Sequence, residues 1–369
     1  MKFKVFREQL LKPLQLVAGV IEKRQTMPIL ANVYMSLHKD GTLSLTGTDM
    51  EVEMVVRVVL DDDFTPGEIT VPAKKLTDIC RSLPDESEIT LELKDERVLV
   101  KSGRSRFQLS ALPASDFPAS DSRQNEISFQ CTKHTIKRLI EKTGFAMAQQ
   151  DVRYYLNGML WEISANRFRV VATDGHRLAL SENTELQTGI NDVYSCIVPR
   201  KGISELARLL DDNEDSVDIG IGPSHIQVSS EFFTFTSKLV DGKFPEYERV
   251  LPRGGDKIVF GPRAELREAF SRAAILSNVK YRGVRLLLND SLLTITANNP
   301  EQEEANEEVV VDYHGEELEI GFNVSYLQDV TNVLESETIK FTLSNSNASA
   351  LIEEPEGGDS MYVVMPMRM

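Results

Sequence analysis

The chain has 369 residues, 41% hydrophobic and 27% charged, and carries a formal net charge of −16. That length exceeds what one core supports, so two or three globular domains are expected, and no apolar run reaches the roughly 18 residues of a membrane span. A negative balance this large argues against nucleic-acid binding over the surface as a whole, since phosphate contacts need Lys and Arg, and it makes the location of the cations the question. Met1-Lys2-Phe3-Lys4-Val5 lacks the apolar core of a secretion signal, so a cytoplasmic protein is expected. Cys80, Cys131 and Cys196 are far apart and sit in apolar patterns, which predicts buried thiols and no disulfide or zinc framework.

Taken in chain order, the pattern repeats three times. A β-like run, Phe3-Lys4-Val5, leads into a helix over 7–18 with Leu10, Pro13, Leu14 and Val17 on one face; Pro13 conflicts with a helix interior unless the helix kinks. The alternating strand Leu43-Ser44-Leu45-Thr46-Gly47-Thr48-Asp49 follows, then Glu68-Ile69-Thr70-Val71 and a second helix over 73–83 with Leu76, Ile79, Cys80 and Leu83 in line. Strands at 88–93 and 97–100 close the unit before the polar Ser120-Asp121-Ser122 stretch.

The second pass starts at Ile127-Ser128-Phe129, with a helix over 135–143 (Ile136, Leu139, Ile140, Thr143), a strand at 168–174, the run Ser195-Cys196-Ile197-Val198 and a helix over 200–210 (Ile203, Leu206, Ala207, Leu210). The third starts at Ile258-Val259-Phe260, with a helix over 263–274 (Leu266, Ala269, Phe270, Ala273), a strand at 293–299, the run 318–322 and a helix over 324–334 (Leu327, Val330, Thr331, Leu334). Each unit reads β-α-β-β-β-α-β-β-β, about 125 residues, the commonest domain size. The fold class is therefore α+β: three repeated domains, 1–124, 125–255 and 256–369, each with two helices packed on antiparallel sheets. Three unrelated domains sharing only amphipathic spacing are the bland alternative, and agreement of order and strand endings argues against it.

Of 41 basic and 57 acidic residues, the six helix windows hold fourteen basic (Arg7, Lys12, Lys74, Lys75, Arg81, Lys137, Arg138, Lys142, Arg200, Lys201, Arg208, Arg263, Arg267, Arg272) and only seven acidic. The helices are basic on an acidic chain, which suits a polyanion held without base readout if they share one surface. The last helix has no Lys or Arg, so such a lining would be uneven. No His-Glu-x-x-His, Gly-x-Ser-x-Gly or phosphate-binding loop occurs, and no metal or cofactor is expected. The best catalytic suspect is Thr173-Asp174-Gly175-His176-Arg177, whose Asp and His could pair as acid and base; the alternative is a plain turn.

These residues resemble a known family. The segments 43–49, 150–160, 172–178, 235–242, 296–304 and 362–368 run end to end and are similar to the β subunits of bacterial DNA polymerase III, the sliding clamps. The resemblance implies three DNA-clamp domains per subunit and a head-to-tail homodimer that closes a six-domain ring with helices lining its pore. It implies a non-catalytic processivity factor that slides on duplex DNA without sequence specificity. It also implies, as partners, the replicative polymerase, a clamp loader, and other polymerases and repair proteins carrying clamp-binding peptides.

For DNA the matching or pore-helix positions are Arg24, Lys74, Arg138, Gln150, Tyr154, Tyr155, Arg200 and Lys201. For a partner-peptide pocket they are Arg153, Tyr155, Leu156, Thr173, Gly175, His176, Arg177, Leu178, Pro245, Arg249, Val250, Tyr326, Ser349, Val363, Met365, Pro366, Met367 and Arg368, while Asn347 and Ala348 depart from the family's rim. For the dimer interface they are Lys74, Arg104, Arg106, Phe107 and Leu109 on one face and Ile275, Leu276, Glu301, Gln302, Glu303 and Glu304 on the other, with Lys74 open to either role. Two rivals stand beside the clamp: a nucleic-acid hydrolase using Asp174 and His176, and a peptide-binding scaffold that never encircles DNA.

Overall fold

The amphipathic spacing places six helices: α1 Arg7–Val20, α2 Ala73–Ser82, α3 Lys133–Thr143, α4 Arg200–Leu209, α5 Arg263–Ala273 and α6 Val324–Val333. A computed structural model describes residues 1–22, 27–60, 63–118 and 124–368; Arg24 and the Ser120-Asp121-Ser122 boundary stretch lie outside the described residues. Each helix buries its apolar stripe, for example Leu10, Leu14 and Val17 in α1 and Leu266, Ala269 and Phe270 in α5. Full burial of one such Leu contributes roughly 1.5–3 kcal/mol. Three buried helix threonines, Thr77, Thr143 and Thr331, donate their hydroxyl protons to the carbonyl four residues back at 2.8, 2.7 and 3.0 Å, which satisfies them in an apolar setting. Helix α1 runs through Pro13, which is buried, so the expected conflict resolves without an end to the helix.

Between the two helices of each repeat the chain makes four strands, one more than the sequence pattern suggests. In the first repeat they are Asn32–Leu37, Thr42–Thr48, Val52–Val59 and Gly67–Pro72. The third of these lies at the edge of its own repeat's strands, and it is the one that reaches beyond the repeat.

The chain falls into two compact units whose boundary cuts the central repeat. The first unit comprises 1–134 and 201–239. It holds an antiparallel sheet of Lys2–Phe6, Glu88–Lys94, Arg97–Ser102 and Ser105–Ser110 in that order. Its second sheet has eight strands, in which Val52–Val59 pairs with Phe233–Lys238 of the central repeat, Val52 opposite Ser237 and Val56 opposite Phe233. The second unit comprises 135–200 and 240–369. Its eight-stranded sheet joins Arg177–Asn183 to Ser360–Val364 of the third repeat, Arg177 opposite Val364. Its four-stranded sheet ends on Glu304–Val310. Among the described residues, no helix is long and apolar enough to cross a membrane. Cys80, Cys131 and Cys196 are buried, and burial pushes the Cys80 and Cys196 thiols up to about 12.

Candidate functional site

Residues Thr173 to Arg177 join two paired strands, Arg167–Thr173 and Arg177–Asn183. Asp174 Oδ1 accepts the backbone N–H groups of His176 (2.9 Å) and Arg177 (3.0 Å), and its Oδ2 accepts Arg177 Nε (3.2 Å). Thr173 Oγ1 donates to the Arg177 carbonyl (2.6 Å) and accepts the Gly175 N–H (3.1 Å). Gly175 has φ +87°, a left-handed conformation that favours glycine, and a Cβ there would displace the Arg153 guanidinium, whose Nη1 would stand 2.8 Å away. The first repeat builds the same turn: Asp49 Oδ1 accepts from Glu51 and Val52 at 2.9 and 2.7 Å, and Thr48 Oγ1 donates to the Val52 carbonyl at 2.8 Å. In the third, Asn299 Oδ1 accepts from Glu303 at 3.0 Å. A turn built alike in the first two repeats, with a wider variant on Asn299 in the third, accounts for Asp174 as an Asx-turn residue, its oxygens engaged by backbone and arginine.

The turn delivers Arg177 into the second unit. Its guanidinium pairs with Asp174 and with Asp329 of α6, donates to the Phe145 carbonyl (2.7 Å), and lies 4.5 Å from the Tyr326 ring centroid and 5.2 Å from that of Phe145. This half-buried cation is neutralised by two carboxylates and faced by two π-surfaces, an arrangement that fixes it rather than leaving it to roam. Beside it opens a cavity of about 390 Å³. Leu156, Leu178, Val363, Pro245, Val250 and Met365 supply apolar wall; Arg153, Thr173, Gly175, His176, Arg177 and Ser349 supply polar atoms. Tyr155 completes the sequence-read set there.

Several expected pocket residues stand off the wall. Tyr326 meets Arg177 instead, Arg249 lines an adjoining cavity of about 530 Å³, and the Met367 N–H donates to the Gly321 carbonyl at 2.8 Å. Pro366 and Arg368 also lie outside the lining. Asn347 and Ala348 form a turn on Asn345, at 2.9 Å to its Oδ1 and 3.2 Å to its carbonyl. Tyr247 lines both cavities and was not singled out by the sequence. Its hydroxyl donates to Glu162 (2.5 Å) and accepts from Arg169 (3.0 Å), and burial with the Glu162 contact pushes it up to about 12, so it stays a donor.

Comparison with known proteins then decides the family. Three family models match in succession: DNA polymerase III beta subunit N-terminal domain over residues 1–121, central domain over 130–246, and C-terminal domain over 248–368. The chain belongs to the DNA polymerase III beta subunit family. It is similar to the beta sliding clamp of Pseudomonas aeruginosa, 60% identical over 369 residues and 100% of both chains, and to that of Escherichia coli K12, 54% identical over the same span. Its structure is similar to the crystal structure of the Pseudomonas aeruginosa DNA polymerase III subunit beta (TM-score 0.96, 59% identity, 100% of both chains). It is also similar to a sliding clamp of that organism bound to griselimycin (TM-score 0.96, 60% identity, 100% of both chains).

As a member of the beta subunit family, the chain has its DNA candidates placed as follows. Lys74 is exposed on α2. Tyr154 is exposed and packs edge-on to the half-buried Tyr155 with centroids 5.8 Å apart; Gln150, exposed, holds φ +56°. The other three are engaged. Arg138 pairs with Glu335 (2.8 Å) and Asp359 (3.2 Å), Arg200 donates to the Met147 carbonyl (2.8 Å), and Lys201 pairs with Glu22 (2.7 Å) and Asp49. Other helix cations are also committed. Arg7 Nε donates to the Cys80 carbonyl (3.0 Å) at the end of α2, Arg263 Nε to the Ser336 carbonyl (2.8 Å) just past α6, and buried Lys142 to the Val333 carbonyl (2.5 Å). Part of the basic bias of the helices thus satisfies carbonyls where helices end.

The interface candidates lie on or beside two edge strands. Arg106 is exposed and Phe107 half-buried on Ser105–Ser110, with exposed Arg104 just before the strand and Leu109 turned into the core. In the second unit Ile275 is 76% exposed, Leu276 is half-buried, and Glu301, Gln302, Glu303 and Glu304 are exposed.

Proposed function

We propose that two copies of this chain close head to tail into a ring that encircles duplex DNA, slides without reading sequence, and tethers DNA polymerase III through the cavity beside Arg177. The chain is a processivity clamp by its full-length likeness to beta sliding clamps. An apolar cleft with a few polar anchors suits short partner peptides, and Met365 in its wall can adapt to more than one of them. A cytoplasmic setting, and a separate ATP-driven loader to open the ring, go with that role.

The observation that carries the assembly is the pair of sheet edges left at the two ends of the repeat. Inside the chain, the outer strand of one half-repeat always meets the outer strand of another: Val52 faces Ser237, and Arg177 faces Val364. The hairpin pairs Thr48–Glu53, Thr173–Leu178 and Asn298–Glu304 put Glu303 where Val52 and Arg177 stand. Following the ladders from the strand before each first helix puts Leu109 where Ser237 and Val364 stand. The same rule applied between copies sets Glu303 opposite Leu109 and Ala305 opposite Phe107. It also sets basic Arg104 and Arg106 against an acidic strand, a heterologous contact that closes when the rotation allows.

The test is a double variant, Phe107→Cys with Ala305→Cys, in a chain whose own thiols are buried. Oxidation is expected to give a covalent species of twice 41.5 kDa that stays on circular DNA and slides off once the circle is cut. A dimer that forms but never cross-links would refute the register, and retention that ignores linearisation would refute the ring.

A further inference from the structure

The loop that the family resemblance assigns to DNA has an internal copy in the third repeat. In the central repeat the segment between α3 and the strand Gly158–Ser164 contains Asp151-Val152-Arg153-Tyr154. In the third repeat the segment between α5 and the strand Gly283–Asn289 contains Asn278-Val279-Lys280-Tyr281. The first repeat carries Arg24 at the same place in the chain, between α1 and Asn32–Leu37.

The likeness extends to geometry. Asp151 Oδ1 accepts the Arg153 N–H at 2.8 Å, and Asn278 Oδ1 accepts the N–H groups of Lys280 and Tyr281 at 2.9 and 3.0 Å. Both valines stand in solvent, at 95% and 91% exposure, and both tyrosines are more than half exposed, at 56% and 57%. An apolar valine and an aromatic ring held out by a side-chain-to-backbone turn is an odd arrangement for a solvent loop, and it occurs twice.

One difference decides what the copy can do. In the central loop the cation is cancelled: Arg153 Nε and Nη2 donate to Asp151 at 3.0 and 2.9 Å, and Nη2 also to the Asp174 carbonyl. In the third-repeat loop the turn former is neutral Asn278. Among the described residues Lys280 forms no ion pair, and its ammonium lies 5.2 Å from the Tyr281 ring centroid. The third loop therefore carries the positive charge that the central one lacks. A free ammonium beside a phenolic hydroxyl offers donors to phosphate oxygens and reads no base.

We propose that Lys280 and Tyr281 form a further duplex-contacting loop that grips the phosphate backbone. This rests on the reading of the chain as a clamp whose Tyr154 loop touches DNA. The experiment measures binding of the full-length dimer to a fluorescent primed duplex across a salt series, for Lys280→Ala, Tyr281→Phe and Tyr154→Ala, with sedimentation of each.

Lys280→Ala is expected to weaken binding about fivefold at low salt for any sequence and to lower the log–log salt slope by about 0.9, the loss of one phosphate contact. Tyr281→Phe is expected to weaken it about twofold with the slope unchanged. Unchanged affinity and slope for both, while Tyr154→Ala weakens binding, would overturn the third-repeat loop and leave the clamp reading standing. No effect from any of the three overturns both loops together. A loss in Lys280→Ala that tracks a fall to monomer, beside Ile275 and Leu276, or that appears only when a loader protein is present, also overturns it.

Discussion

Arg177 is the residue on which most of the pocket's polar contacts converge. Its guanidinium holds Asp174, Asp329 and the Phe145 carbonyl while filling the space between two aromatic rings. Arg177→Ala is expected to cost about 2–4 kcal/mol in urea unfolding, because it leaves half-buried carboxylates unpaired, and to weaken peptide binding at least tenfold. Arg153 acts differently, at the surface. Its hydrogen bonds hold the Asp151 carboxyl down to about 2, below the ordinary carboxylate value. A depressed acid favours the folded state above its unfolded pKa, so the clasp is complete above about pH 4 and is lost as pH falls toward 2. An NMR titration should return the Asp151 midpoint toward the ordinary value in Arg153→Ala, and an unmoved midpoint would contradict the pairing. Most of the cavity's walls were legible, since long specific segments carry them. Tyr247 was not, because its role depends on Glu162 and Arg169, which only the folded chain brings to its hydroxyl.

At the scale of elements, the six helices were legible because 3.6-residue spacing survives any change of neighbour. The fourth strand between helices was not, because Val52–Val59 pairs with Thr42–Thr48 on one side only and takes its second partner from another repeat, far away in the chain. Pro13 shows the reverse, a local rule overridden by packing. With no N–H at Pro13, the Gln9 carbonyl loses its intrahelical donor, yet the ring is buried against the core. Pro13→Ala restores the bond and loses some contact, and a net gain of about 1 kcal/mol in thermal unfolding is expected. At the proposed interface, Ile275→Ala with Leu276→Ala is expected to shift sedimentation from dimer toward monomer. The folded subunit's circular dichroism should not change, because Ile275 adds little to its own core.

For the whole molecule, the basic bias of the helices was legible but its use was divided. Arg7, Arg263 and Lys142 close helix ends, and Arg138 and Lys201 pair with carboxylates, so the cations free to meet a polyanion are fewer than the count suggests. The proposed ring, with so few phosphate contacts, should show a shallow salt dependence on closed circles, where retention would come from topology, and a steep loss once an end is available. The sharing of the central repeat between two sheets has a further consequence for anyone who trims this polypeptide. Excising residues 125–255 would strip Phe233–Lys238 of Val52–Val59 and Arg177–Asn183 of Ser360–Val364. Each severed ladder becomes a naked seam that invites another strand. Such a fragment should clump or cross-pair during refolding, and amide exchange in the intact chain should release the seam strands together with their borrowed neighbours rather than with the rest of their own repeat.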